Sequence, residues 1–159
     1  MKLFKTLDRC MESIGVVLSL VMVAVIFMQV VFRYCLNNAL PWPEEMSRYL
    51  FIWISYLGVA VCMGDDSHLR VTVIPDMFSK RTKKYIDILC MIINAAFFFI
   101  SFVLGVNITI DIMEMEQNAI SMPLPIWIVW AGITICFIIT CIQSIRVICR
   151  IIIEMRREG

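Results

Sequence analysis

The sequence predicts an all-α integral membrane protein with four transmembrane helices. Three observations carry that prediction. Hydrophobic residues make up 61% of the 159-residue chain and the mean hydropathy is +0.88, whereas soluble domains hold about 45–50% apolar residues. Four runs are long enough to cross a hydrocarbon core of about 30 Å, which takes about 20 helical residues. The basic residues gather on one side of those runs, the pattern that orients membrane proteins. The chain is expected to form a single membrane domain over 1–159, with no internal repeat, low-complexity tract or soluble domain.

The first span is expected over about 12–34. Its uncharged part, Ile14 to Phe32, is 19 residues interrupted only by Ser19 and Gln29. Lys2, Lys5 and Arg9 ahead of it imitate a signal peptide. The run is longer than the roughly 7–15 apolar residues of such peptides and no small-x-small cleavage site follows, so it is expected to stay as a span.

The second span is the least obvious. Its uncharged stretch, Tyr49 to Gly64, is only 16 residues, short at about 1.5 Å per residue. A start at Pro43, a residue favoured at the first helical position, lengthens it to 43–64 and places Glu44 and Glu45 in the first turn, where the helix dipole favours negative charge. Glu44 and Arg48 are then spaced i,i+4 and Glu45 and Arg48 i,i+3, so either acid can meet the arginine on one face.

The third span is expected over about 86–110, with Asn94 and Asn107 but no charge from Ile88 to Ile110, and the fourth over about 124–147, introduced by Pro123 and Pro125. Gly15 with Ser19, and Ser101 with Gly105, are small residues four apart of the kind that let helices approach closely in lipid. Asn94, Asn107 and Gln143 are expected to hydrogen-bond between helices rather than to bind a solute. The connection 33–42, with Tyr34, Leu36, Leu40 and Trp42, reads either as a short interfacial helix or as a connecting turn. The stretch 69–78, followed by the basic cluster at 80–84, reads as a segment on anionic lipid or as an ordinary loop.

Twelve of the fourteen basic residues fall before the first span, between the second and third, or after the fourth. The other two connections hold only Arg33 and Arg48, beside Asp111, Glu114 and Glu116. The positive-inside rule therefore predicts both termini in the cytoplasm. A formal net charge of +1 gives no basis for a nucleic-acid partner.

The chemistry these residues permit is narrow. A self-sufficient pump or channel needs ionisable groups inside the membrane, and here all of them lie at or outside a span end. His68 is the sole histidine, so a haem held by two histidines of this chain is ruled out, and zinc would need Asp65, Asp66 and a ligand from elsewhere. No metal, cofactor or catalytic site is expected, and no nucleophile–base pair or phosphate-cradling glycine loop is present. The seven cysteines form no CxxC pair and sit mostly in apolar runs, as small packing residues do.

The pattern Gln29, Arg33-Tyr34, Trp42-x-Glu44-Glu45, Arg48-Tyr49-x-Phe51-x-Trp53, Gly58 and His68-x-x-Val71 resembles the signature of the small membrane subunit, or small permease, of tripartite ATP-independent periplasmic (TRAP) transporters. One departure is Ala131 before Gly132, where the family often has a proline. The resemblance implies a bacterial inner-membrane protein, not an enzyme. In such systems a soluble periplasmic protein captures a carboxylate-bearing solute, such as sialic acid or a C4-dicarboxylate, and a large multi-span subunit moves it inward with sodium. The small subunit is expected to bind and enlarge the scaffold of the large one, without a substrate or sodium site of its own.

On this reading Arg33, Glu44, Glu45 and Arg48 form a charge-balanced cluster, extended by Gln29, that fixes the first span against the second or against the large subunit. Tyr34, Trp42, Trp53, Gly58 and His68 join them as interface candidates. Breaking a desolvated cluster costs about 3–5 kcal/mol, and breaking a solvated pair about 0–1 kcal/mol. Two rivals belong to other classes. A four-helix anchor for an oxidoreductase predicts a bound redox cofactor, and an autonomous exporter or channel predicts transport by the chain alone.

Overall fold

The computed structural model describes residues 2–64 and 80–158. His68, the two aspartates before it and the 69–78 stretch lie outside those residues. Four helices account for nearly all of the rest: α1 (Lys2–Tyr34), α2 (Trp42–Gly64), α3 (Lys80–Glu114) and α4 (Trp127–Glu158). Of these, α1, α3 and α4 run 33, 35 and 32 residues, about 50 Å each at 1.5 Å per residue. They exceed the hydrocarbon core, so their ends project beyond it.

Between the first two spans the chain takes the turn rather than the interfacial helix. The amides of Cys35 and Leu36 both return to Val31 O, at 2.8 and 3.3 Å, and the Asn38 amide to Phe32 O at 3.0 Å. Asn37 sits at φ 48°, a left-handed conformation that asparagine tolerates and that ends the helix. The second connection, 115–126, is ordered by its own backbone. The Ala119 amide donates to Leu124 O at 2.8 Å and the Ile126 amide to Gln117 O at 3.0 Å, around an isolated bridge between Asn118 and Pro125.

The helices form an open array in the order α3–α4–α2–α1. Packing joins α3 to α4, α4 to α2 and α2 to α1, and no other helix pair brings Cα atoms within 8 Å among the described residues. The core therefore follows α4. Its buried positions include Val129, Ile133, Cys136, Thr140 and Gln143, the three- and four-residue spacing of one helical face. By contrast, none of the most apolar stretch of α1 is buried.

Two glycines set the approach of neighbours to α4. A Cβ on Gly105 of α3 would stand 2.7 Å from Thr134 Oγ1, and one on Gly132 would stand 2.8 Å from the Trp53 indole nitrogen of α2. Small residues serve this purpose in lipid, where association rests on close packing rather than on expelled water. Phe137 then meets Tyr56 of α2 edge-on at 5.2 Å and Phe98 of α3 at 6.0 Å.

Two of the three mid-span amides bond across helices. Asn94 Nδ2 reaches Met63 Sδ at 3.5 Å, and Gln143 Nε2 reaches Asp8 at 3.1 Å. Asn107 is exposed and makes no hydrogen bond among the described residues. These contacts also fix the topology: the start of α1 meets the later half of α4, and the first half of α3 meets the end of α2. Both termini thus share one end of the array, the terminal end, and the two ordered connections share the other, the loop end.

Candidate functional site at the loop end

Of the sequence-predicted residues, Trp42, Glu44, Glu45 and Arg48 lie in the first two turns of α2. Pro43 at its start is fully buried, and Ser47 Oγ donates to Pro43 O at 2.7 Å. Glu45 turns toward the α3–α4 connection. Its Oε1 accepts from the Tyr49 hydroxyl at 2.7 Å and from the Ile120 amide at 3.2 Å, and its Oε2 accepts from the Ser121 amide at 2.7 Å. A carboxylate with three donors is a charge-assisted anchor. It satisfies two backbone amides that the bend at 120–121 leaves without partners inside the loop.

Glu44 does something else. Successive helical residues differ by 100°, so when Glu45 faces the loop Glu44 faces out. It pairs with Arg48 at 3.5 Å, with both side chains 68% exposed. Arg33, in the last turn of α1, is exposed and forms no ion pair among the described residues. The expected four-membered cluster is therefore divided: Glu44–Arg48 is a solvated pair, Glu45 is an anchor for the loop, and Arg33 stands apart across the 35–41 turn. The reason is that two backbone amides and a hydroxyl serve Glu45 better than a shared, flexible guanidinium one turn away.

Below this layer, Trp53 Nε1 donates to Val129 O at 3.2 Å, tying α2 to the first turn of α4 where Gly132 leaves room for the indole. Trp42 and Gln29 are half-buried, and Tyr34 is exposed. Gly58 has no neighbouring atom where a Cβ would stand and lines a groove of about 460 Å3 between α1 and α2. Its other walls include Gly15, Ser19 and Leu57, so one of the two predicted small-residue pairs faces a gap while Gly105 forms a tight contact.

Sequence reasoning overlooked three partners: the 120–121 amides, the Val129 carbonyl and Asp8. Backbone groups carry no sequence signal. Asp8 carried a slight one, as a lone acid between Lys5 and Arg9. Among the described residues no three His, Cys, Asp or Glu side chains converge as metal ligands would. What the arrangement can do is fasten: helix to loop through Glu45, and helix to helix through Trp53.

Comparison with known proteins identifies the lineage. A TRAP transporter small permease protein of Haemophilus influenzae is 31% identical over 90 residues, 55% of this chain and 56% of that protein. The chain thus spans little more than half the length of that relative. The sialic acid TRAP transporter small permease protein SiaQ of Vibrio cholerae is 30% identical over 79 residues, 50% of this chain and 46% of that one. The isethionate TRAP transporter permease protein DctMQ of Oleidesulfovibrio alaskensis is 30% identical over 129 residues, which are 73% of this chain but 20% of the longer relative. These are permease subunits, not enzymes. The model of the DctQ component of tripartite ATP-independent periplasmic transporters matches residues 22–154, which take in three of the four membrane-length helices and the later part of the first, and the chain belongs to this family, as a multi-pass protein of the inner membrane.

Proposed function

We propose that the chain is the small permease subunit of a sodium-driven TRAP transporter that imports a carboxylate-bearing solute of the sialic acid or C4-dicarboxylate class. It binds the large membrane subunit and enlarges its scaffold, and the solute arrives from a periplasmic binding protein. It carries neither the substrate site nor the sodium site. Both termini face the cytoplasm and the loop end faces the periplasm, and the basic segments at the terminal end rest against anionic lipid.

The observation that carries this reading is where the buried polar groups are spent. Thr134, Thr140 and Ser144 donate to carbonyls one turn back in α4, and Gln143 binds Asp8. Sodium needs several oxygen ligands converging in a cavity, and a translocated anion needs buried donors or cations; these four side chains instead fasten α4. The open array gives a partner long helical faces to cover. The exposed Arg33, Tyr34, Glu44 and Arg48, with Gln29, Trp42, Trp53, Gly58 and His68, are the interface candidates. The relatives named for sialic acid and isethionate both act on anionic solutes, which supports an acid as cargo.

The test is purification of the tagged chain from its native membrane in mild detergent. A stoichiometric multi-span membrane protein is expected, and the reconstituted pair should take up a candidate acid only with sodium and binding protein present. Recovery of the chain alone, or of a coloured redox protein, overturns the reading. Orientation is checked by labelling single cysteines at positions 37 and 118 from outside intact cells, where both should react.

A further inference from the structure

The two sides of α3 meet different surroundings. Toward α4, Met91 is buried, Phe98 meets Phe137 and Gly105 abuts Thr134. Two residues after Phe98 and Gly105 come Ile100 and Asn107, about 200° further round a helix of 3.6 residues per turn. On that far side Leu89, Ile93, Ala96, Ile100, Val103 and Asn107 follow one another at intervals of four and three, and all six are exposed. The alternation repeats about every 3.5 residues, the spacing of a seam that fits a second helix.

Apolar residues at such positions are already satisfied by lipid and need no partner. Asn107 is different. It lies in the membrane-length run Tyr85–Glu114, one turn inside Asp111. Because α3 and α4 run in opposite directions through the Gly105–Thr134 contact, it stands level with Gly132 rather than at the rim. Its amide makes no hydrogen bond among the described residues. An amide turned toward hydrocarbon forgoes the hydrogen bonds it has in water, so a neighbouring helix that brings a donor or acceptor to this depth relieves a cost that lipid cannot.

The charges at the two ends of α3 select the kind of neighbour. The helix begins Lys80-Arg81-x-Lys83-Lys84 and ends with Asp111 and Glu114. A second copy in the same membrane orientation would lie parallel, setting basic turn against basic turn and acid against acid; a different chain avoids both conflicts. We propose that this seam is the docking face for one transmembrane helix of the large membrane subunit, apolar along its length, with a hydrogen-bonding side chain level with Asn107 and a basic residue near Asp111 and Glu114. The inference rests on the subunit reading above and adds a membrane-depth contact to the candidates at the loop end. Asn107 sets the register, as a single polar residue does in an apolar helix seam.

The experiment co-expresses the full tagged chain with its large subunit, places a photoreactive benzoylphenylalanine at one α3 position at a time, irradiates whole cells and identifies the products by mass spectrometry. Products containing the large subunit should form from positions 93, 100 and 103 and be several-fold weaker from 97 and 108, about a quarter turn away. Asn107→Leu should lower the large subunit recovered with the tag about three-fold, the size of one interhelical hydrogen bond in lipid. Asn107→Gln, which keeps the amide, should lower it less, and the melting temperature of the isolated chain should fall with neither. Unchanged recovery with Asn107→Leu, or equal cross-linking at all five positions, overturns the seam and leaves the subunit reading standing. A fall in melting temperature with Asn107→Leu also overturns it, by making Asn107 part of the chain's own packing. A product of two copies of this chain from the seam positions overturns the proposed occupant. If the unsubstituted chain recovers no large subunit, the subunit reading fails and the seam with it.

Discussion

Glu44 and Glu45 share a helical turn and a chemistry but meet different surroundings. One faces solvent beside Arg48, and the other takes three donors from Tyr49 and the loop backbone. Substituting Glu45→Gln leaves one acceptor oxygen and sets an amide NH2 against a backbone N–H, so exchange of the Ile120 and Ser121 amides should speed up several-fold. Hydrogen–deuterium exchange resolved to the 117–124 segment checks this, with Glu44→Gln as the unaffected control. Arg48→Ala removes an exposed i,i+4 pair, so the thermal stability of the isolated chain should fall by no more than about 0.5 kcal/mol. If the proposed interface is right, the same variant recovers less of the large subunit, separating partner contact from fold.

At the scale of elements, four glycines divide by what their missing side chains would strike. Gly132→Ala drives a methyl into the rigid Trp53 indole, which has no room to turn without leaving Val129 O. Overpacking of this kind costs about 1–3 kcal/mol. Gly105→Ala should also destabilise, since Thr134 Oγ1 is held by the Trp130 carbonyl and lies 2.7 Å from the new Cβ. Gly15→Ala and Gly58→Ala meet nothing within 4 Å and should be neutral or slightly stabilising, because alanine favours a helix by up to about 1 kcal/mol over glycine. Melting temperatures of the four variants in one detergent test the division. Trp53→Phe should lower stability by about 0.5–1.5 kcal/mol through the lost hydrogen bond.

For the whole molecule, the consequence of the order α3–α4–α2–α1 is that α4 is the interior helix and α1 an edge. Paired cysteines introduced into a cysteine-free chain should cross-link α3 with α4, α4 with α2, and α2 with α1, while α1 with α3 should give no product in the membrane. A closed four-helix bundle would give an α1–α3 or α2–α3 product instead. Among the described residues, one Asn–Met contact is the sole hydrogen bond directly joining α2 to α3, so the array is held through α4. That geometry suits a scaffold: a closed bundle hides its packing surfaces, whereas an open array leaves whole helices for a partner or for lipid.

The sequence by itself determined the number of spans, because a bilayer core demands a fixed run of apolar residues, and it expected α2 to begin at Pro43, one residue after the observed start at Trp42. It also carried the family signature. The partners of Glu45, Trp53 and Gln143 came only from the tertiary structure. Two of those three residues bind backbone groups, which look the same at every position, and the third binds an aspartate 135 residues away. Apolar periodicity could not order the helices either, since in lipid an exposed face and a packed face are equally hydrophobic. Which glycine meets an indole and which faces a gap was decided by where α4 came to lie.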